Sequence, residues 1–174
     1  IVKIGDQVWM SENLKFKVPN ESWCYDDNNS YCVTYGRLYT WKTAQEACPK
    51  GWHLPSINEW ITLLYNNGGE GPNAYSELIK SGVDHFNAQL GGVLGSSGHF
   101  ARVEEAYWTS TLLDEGVAWS VMFYGGDQEC VHRYSDIFSG KCYVRCIQDV
   151  YNYSNIAPLN TIQEYKRIGP FNSD

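Results

Sequence analysis

Apolar residues recur every second position at the two ends of this chain and at helical spacing between them. Val2 and Ile4, then Val8 and Met10, alternate around Gly5-Asp6, which predicts a strand pair within residues 1–18. Residues 19–37 are polar and read as a loop; the ends of Cys24-Tyr-Asp-Asp-Asn-Asn-Ser-Tyr-Cys32 could be bridged locally. Residues 40–48 read as a helix, with Thr40 placed to cap it and Pro49 forbidding its continuation. Ser56 and Glu59 have the Ser-x-x-Glu spacing of a capping box. Behind them Ile57, Trp60, Ile61 and Leu64 share one face of a second helix, which stops at Asn66-Asn-Gly68. A third short helix is expected over residues 74–81.

Residues 82–106, with Gly at 91, 92, 95 and 98, read mostly as loop. From Tyr107 the two-residue period returns. Val117, Trp119, Val121 and Phe123 alternate with Ala118, Ser120 and Met122, and Cys130–Tyr134 and Cys142–Ile147 are further strands. Gly125-Gly-Asp127 and Ser139-Gly140 supply the turns. Helices early and a sheet late, joined by the returning first strand, make an α+β layout. Residues 151–174 differ: Tyr151, Tyr153, Ile156, Leu159, Ile162, Tyr165 and Ile168 are spaced through a polar segment. They read as a C-terminal tail, an interaction arm attached to a domain of residues 1–150.

Composition narrows the function classes. The chain has 174 residues, about one domain, and is 43% hydrophobic, enough for a core. Its net charge is −7, and the densest basic spots are Lys15-Phe-Lys17 and Lys166-Arg167, so nucleic-acid binding through phosphates is not expected. No apolar run approaches the roughly 18 residues that span a bilayer. The chain starts at Ile1, which reads as a mature product lacking its signal peptide; a cloning boundary would look the same. Six Cys without a Cys-x-x-Cys favour three disulfides in an exported protein over zinc, and sequence alone leaves all fifteen pairings open.

Candidate chemistry is sparse. Asp26-Asp-Asn-Asn-Ser30 is oxygen-rich and a weak candidate for Ca²⁺; no other cofactor is expected. His53 reads as a hydrogen-bonded residue of the link between two helices, and His132 as facing outward from the late sheet. Gly91-Gly-Val-Leu-Gly-Ser-Ser-Gly98 lacks the Lys of a phosphate loop, and no Gly-x-Ser-x-Gly elbow occurs. Most Trp belong to core positions, whereas Tyr124, Tyr134 and Phe138 flank turns of the late sheet, where exposed rings could stack on a ligand. Asp127, Glu129, Arg133, Asp136 and Arg145 would supply polar contacts around them.

Several motifs occur in one order: Trp9-Met-Ser-Glu-Asn-Leu14, Cys24-Tyr25, Tyr35-Gly-Arg-Leu-Tyr-Thr-Trp41, Cys48-Pro-x-Gly-Trp-His-Leu-Pro-Ser56, Glu59-Trp60, Phe86-Asn-Ala88, Tyr107-Trp-Thr-Ser-Thr111 and Val144-Arg-Cys-Ile147. On these the chain resembles the Fibrobacter succinogenes major paralogous domain, found on many exported Bacteroidetes and Fibrobacteres proteins. That family is similar to C-type-lectin-like domains, near the formylglycine-generating enzymes. The resemblance implies two main helices on a small twisted antiparallel sheet with long loops. It also implies the bridges Cys48–Cys146 and Cys130–Cys142, which leaves Cys24–Cys32. Calcium-dependent sugar binding is not implied, because Gly71-Pro-Asn73 lacks the carboxylate and Trp108-Thr-Ser110 lacks the Asn and Asp of lectins of this fold. The enzyme branch needs reactive thiols, and full bridging would leave none.

The expectation is therefore an exported, extracellular or cell-surface domain without enzymatic activity. It would bind a glycan or protein through Tyr124, Asp127, His132, Tyr134 and Arg145. The alternative is a structural subunit of a fibre or coat that assembles through residues 151–174, and truncation at Asp149 separates the two.

Overall fold

The computed structural model describes residues 1–95, 100–101, 104–137 and 140–150. The expected tail and Phe138 lie outside them. The chain opens with the predicted hairpin, β1 (Val2–Ile4) and β2 (Gln7–Trp9), turning at Gly5 with φ +58°. β3 (Ser22–Trp23), a 3-10 turn at Tyr25–Asp27 and α1 (Asn29–Tyr35) follow. The segment read as plain loop thus holds a helix. Asn28 caps it by accepting from the Ser30 N–H at 3.0 Å, and a disulfide joins Cys32 within it to Cys24.

β4 (Leu38–Tyr39) leads into α2 (Trp41–Ala47), where Thr40 Oγ1 accepts from the Thr43 N–H as the sequence predicts. β5 (Trp52–His53) leads into α3 (Ile57–Asn66). The capping box is complete: Ser56 Oγ accepts from the Glu59 N–H and a Glu59 carboxylate oxygen accepts from the Ser56 N–H. Such a cap stabilises a helix by about 1 kcal/mol. α3 buries Ile57, Trp60, Leu63 and Leu64; Ile61, expected on that face, is exposed. α4 (Pro72–Leu78) starts two residues earlier than expected because Pro72 suits a first helical turn.

The remaining strands are β6 (Val93–Leu94), β7 (Phe100–Ala101), β8 (Glu104–Asp114), β9 (Val117–Tyr124), β10 (Cys130–Ile137), β11 (Cys142–Tyr143) and β12 (Ile147–Gln148). They form sheets of order β10-β9-β8-β11-β4-β3, β1-β2-β12-β5 and β6-β7. The largest is mixed, since β11 runs parallel to β8. The first hairpin does not join that sheet: β2 pairs with β12, Trp9 facing Ile147. The run Cys142–Ile147, read as one strand, is bent, with its two ends in different sheets. Within the bend, Leu14 and Met10 donate their N–H groups to the carbonyls of Val144 and Cys146.

The large sheet is covered on both faces. One face carries Tyr107, Val121, Phe123 and Val131 against α3, α4, Trp9 and Phe86. The other carries Ala106, Trp108, Ala118 and Met122 against Ala44 and Ala47 of α2. This explains the apolar residues at successive positions of β9.

Cys48, which ends α2, is bonded to Cys146, with Cα atoms 5.9 Å apart. Cys24 and Cys32 are bonded with Cα atoms 4.9 Å apart. The expected Cys130–Cys142 bridge is absent. β9 and β8 lie between β10 and β11, so three strand spacings put these residues about 14 Å apart. A disulfide needs Cα atoms closer than about 7 Å.

Candidate functional site

β8, β9 and β10 place nine side chains on one face in three rows. Glu104, Tyr124 and Cys130 form the first; Ala106, Met122 and His132 the second; Trp108, Ser120 and Tyr134 the third. α2 packs on β8 and buries that end of the rows. β10 is an edge strand, and there the cover stops: His132 and Tyr134 are exposed and Tyr124 is half-buried. The sequence-predicted Tyr124, His132 and Tyr134 therefore share one face. Asp127 is exposed nearby, in the 3-10 turn Gly126–Gln128 between β9 and β10. Burial raises the Tyr124 pKa, and the nearby Tyr134, Glu104 and Cys130 push it the same way.

The outer edge of β10 is held by the segment before α4. Gly71 and Val131 exchange backbone hydrogen bonds, and Glu70 pairs with the Arg133 guanidinium. Glu70 also lies 3.7 Å from His132 Nδ1. Arg133 falls on the opposite face from His132, so it is not a member of the exposed row.

Arg145 was expected on the binding face, and the structure corrects this: it is 0% exposed. Its guanidinium donates to Asn13 Oδ1, to the carbonyls of Phe86, Asn87 and Met10, and to the Tyr107 hydroxyl, and stacks over the Phe86 ring at 4.4 Å. Asn13 Nδ2 in turn donates to Glu105, also 0% exposed, at 2.6 Å. The other Glu105 oxygen accepts from the N–H groups of Gln89 and Leu90. A buried guanidinium and a buried carboxylate thus pin the 86–90 segment from below, joined through one asparagine. Asn13, Phe86, Tyr107 and Arg145 each come from a different one of the ordered sequence motifs. These four motif residues build the interior.

His53 is also structural. It bridges Asp149 Oδ1 at 2.7 Å and Glu59 Oε1 at 2.8 Å, tying the start of α3 to the residue after β12. Burial alone pulls its pKa down, but the hydrogen bonds and charges of Asp149 and Glu59 outweigh this and raise it. A raised folded pKa gives stability that is fully present below the unfolded value of about 6.5 and is lost as pH rises through the folded value. His53 is 41% exposed, so screening holds the effect to about 1 kcal/mol or less. In urea unfolding, His53→Gln should destabilise more at pH ~5.5 than at pH ~8. An equal loss at both would contradict the ion-pair account.

Asp26-Asp-Asn-Asn-Ser30 forms the 3-10 turn and the cap of α1, with Asn28 Oδ1 accepting from Ser30. Among the described residues no group of three or more His, Cys, Asp and Glu could hold a metal ion. Gly92, in the glycine-rich run, has φ +89°, and a Cβ there would lie 2.0 Å from the Tyr25 ring, so close packing accounts for this glycine. No helix among the described residues is long and apolar enough to cross a membrane.

No curated protein and no solved structure matches the chain. The motifs whose residues meet around Arg145 lie within residues 2–148, which match the Fibrobacter succinogenes major domain, and the chain belongs to that family.

Proposed function

We propose that this is an exported, non-enzymatic recognition or adhesion domain of C-type-lectin-like fold, which takes a glycan or protein ligand on the face carrying Tyr124, His132 and Tyr134. The observation that carries the reading is an edge strand presenting an exposed Tyr and His where helical cover ends. The bond from the end of α2 to Cys146 supports the fold assignment. The two disulfides support an oxidising, extracellular setting. Cys130 and Cys142 sit about 14 Å apart across two intervening strands, too far to bind one metal ion together, which weighs against the enzyme branch. Self-assembly through residues 151–174 belongs to a segment beyond the family match and outside the described residues.

The triple variant Tyr124→Ala/His132→Ala/Tyr134→Ala should lose about tenfold or more in affinity for any ligand the wild-type chain captures in a glycan array or pull-down, because aromatic contacts dominate such sites. Unchanged capture by a variant that unfolds at the wild-type temperature would remove this face from the account.

A further inference from the structure

One polar group on this face has no role in the fold. Ser120 is 0% exposed and its hydroxyl has no hydrogen-bond partner among the described residues. Leaving a buried hydroxyl unpaired costs about 1–3 kcal/mol. Ser120 stands directly opposite Tyr134, which is 49% exposed, and on the same face. A hydrogen-bonding group thus waits beside an exposed aromatic ring, at the edge where the cover of α2 ends.

We infer that the Ser120 hydroxyl is the hydrogen-bonding seat for a neutral, hydroxyl-bearing ring, a carbohydrate, that stacks on Tyr134 and reaches toward Tyr124. The inference rests on the recognition reading above and specifies its ligand. Three features select this class. The charged side chain within the three rows is Glu104, and Asp127 and Glu129 stand exposed in the adjoining turn, so the setting disfavours an anionic ligand. A hydroxyl both donates and accepts, which matches another hydroxyl as partner. Met122 and Ser120 on β9 are buried, so the open strip from the Tyr124 row to the Tyr134 row is about 14 Å long and about 5 Å wide along β10, or ~70 Å². A stable protein interface needs about 800 Å² per partner, whereas one or two sugar rings fit this strip. For the ligand to reach the buried Ser120 hydroxyl, the neighbouring exposed Tyr134 side chain must turn aside, a rotamer change that is fast for such a residue.

The test is calorimetric titration of the full chain with neutral hexasaccharides of glucose, xylose and mannose, with an oligogalacturonate as the anionic control and hexalysine as the cationic peptide. The wild-type chain should bind a neutral hexasaccharide and neither control. Ser120→Ala should weaken that binding by about fivefold or more, the effect of one ordinary hydrogen bond, without lowering the melting temperature, since it removes an unpaired group. A Ser with a purely structural role would leave binding untouched. Equal binding by Ser120→Ala, preference for either charged probe, or no binding of neutral sugars would overturn the inference. If sugars fail while the triple Tyr124/His132/Tyr134 variant still loses a captured protein, the recognition face stands and only its carbohydrate assignment falls.

Discussion

Cys48→Ser/Cys146→Ser protein should lose about 4–5 kcal/mol of stability and be largely unfolded at 37 °C. The bond closes a loop of 98 residues, and closure entropy for a loop of about that size is worth ~4.7 kcal/mol. The total stability of a domain is about 5–15 kcal/mol, so little margin remains. The bond also has a position that local structure cannot replace. It holds the end of α2, whose Ala44 and Ala47 cover the large sheet, to the bend that links β11 with β12. The Cys24–Cys32 bond spans only 8 residues and should contribute about 2–3 kcal/mol. Urea unfolding of the two double-serine variants beside wild type measures both. A loss under about 1 kcal/mol for the Cys48/Cys146 pair would show that the clamp does not hold the fold.

Arg145→Met should cost about 3–5 kcal/mol, comparable to that clamp. The substitution keeps most of the apolar stem but strands several buried acceptors: Asn13 Oδ1 and the carbonyls of Phe86 and Asn87. It also leaves the Glu105 carboxylate buried without the cation that reaches it through Asn13. Adding Glu105→Gln removes that uncompensated charge, so the double variant should lose less than the sum of the two single losses. A double-mutant cycle by chemical unfolding should therefore give a coupling of about 1–3 kcal/mol, with strict additivity the contrary result.

Local signals in the chain announced their elements well. Thr40, Pro49 and the Ser56/Glu59 pair mark α2 and α3 because capping is decided within four residues. The period-two run from Val117 marks β9 for a similar reason. What failed depended on partners distant in sequence. The alternation could not reveal that β8 and β9 would separate Cys130 from Cys142. Arg145 read as a surface contact because arginines are seldom fully buried. Its partners Asn13, Phe86 and Tyr107 lie 132, 59 and 38 residues away. Ile61 fits the helical face by spacing, yet Leu63 takes the buried place, which only the packing of α3 on the sheet decides. The rows of the candidate site are partly legible, since Tyr124 and Tyr134 flank turns of the late sheet and His132 reads as facing outward from one of its strands. Ser120 is not, because an unpaired hydroxyl shows only when its surroundings are known.

The arrangement of strands around the Cys48–Cys146 clamp is the premise for both the buried Arg145 network and the exposed β10 face. Alkylation of the denatured, unreduced chain followed by peptide mapping tests it most directly. The architecture predicts label at Cys130 and Cys142 alone, with Cys24 recovered joined to Cys32 and Cys48 to Cys146. A peptide joining Cys130 to Cys142 would contradict the strand order, and with it the face assigned to recognition.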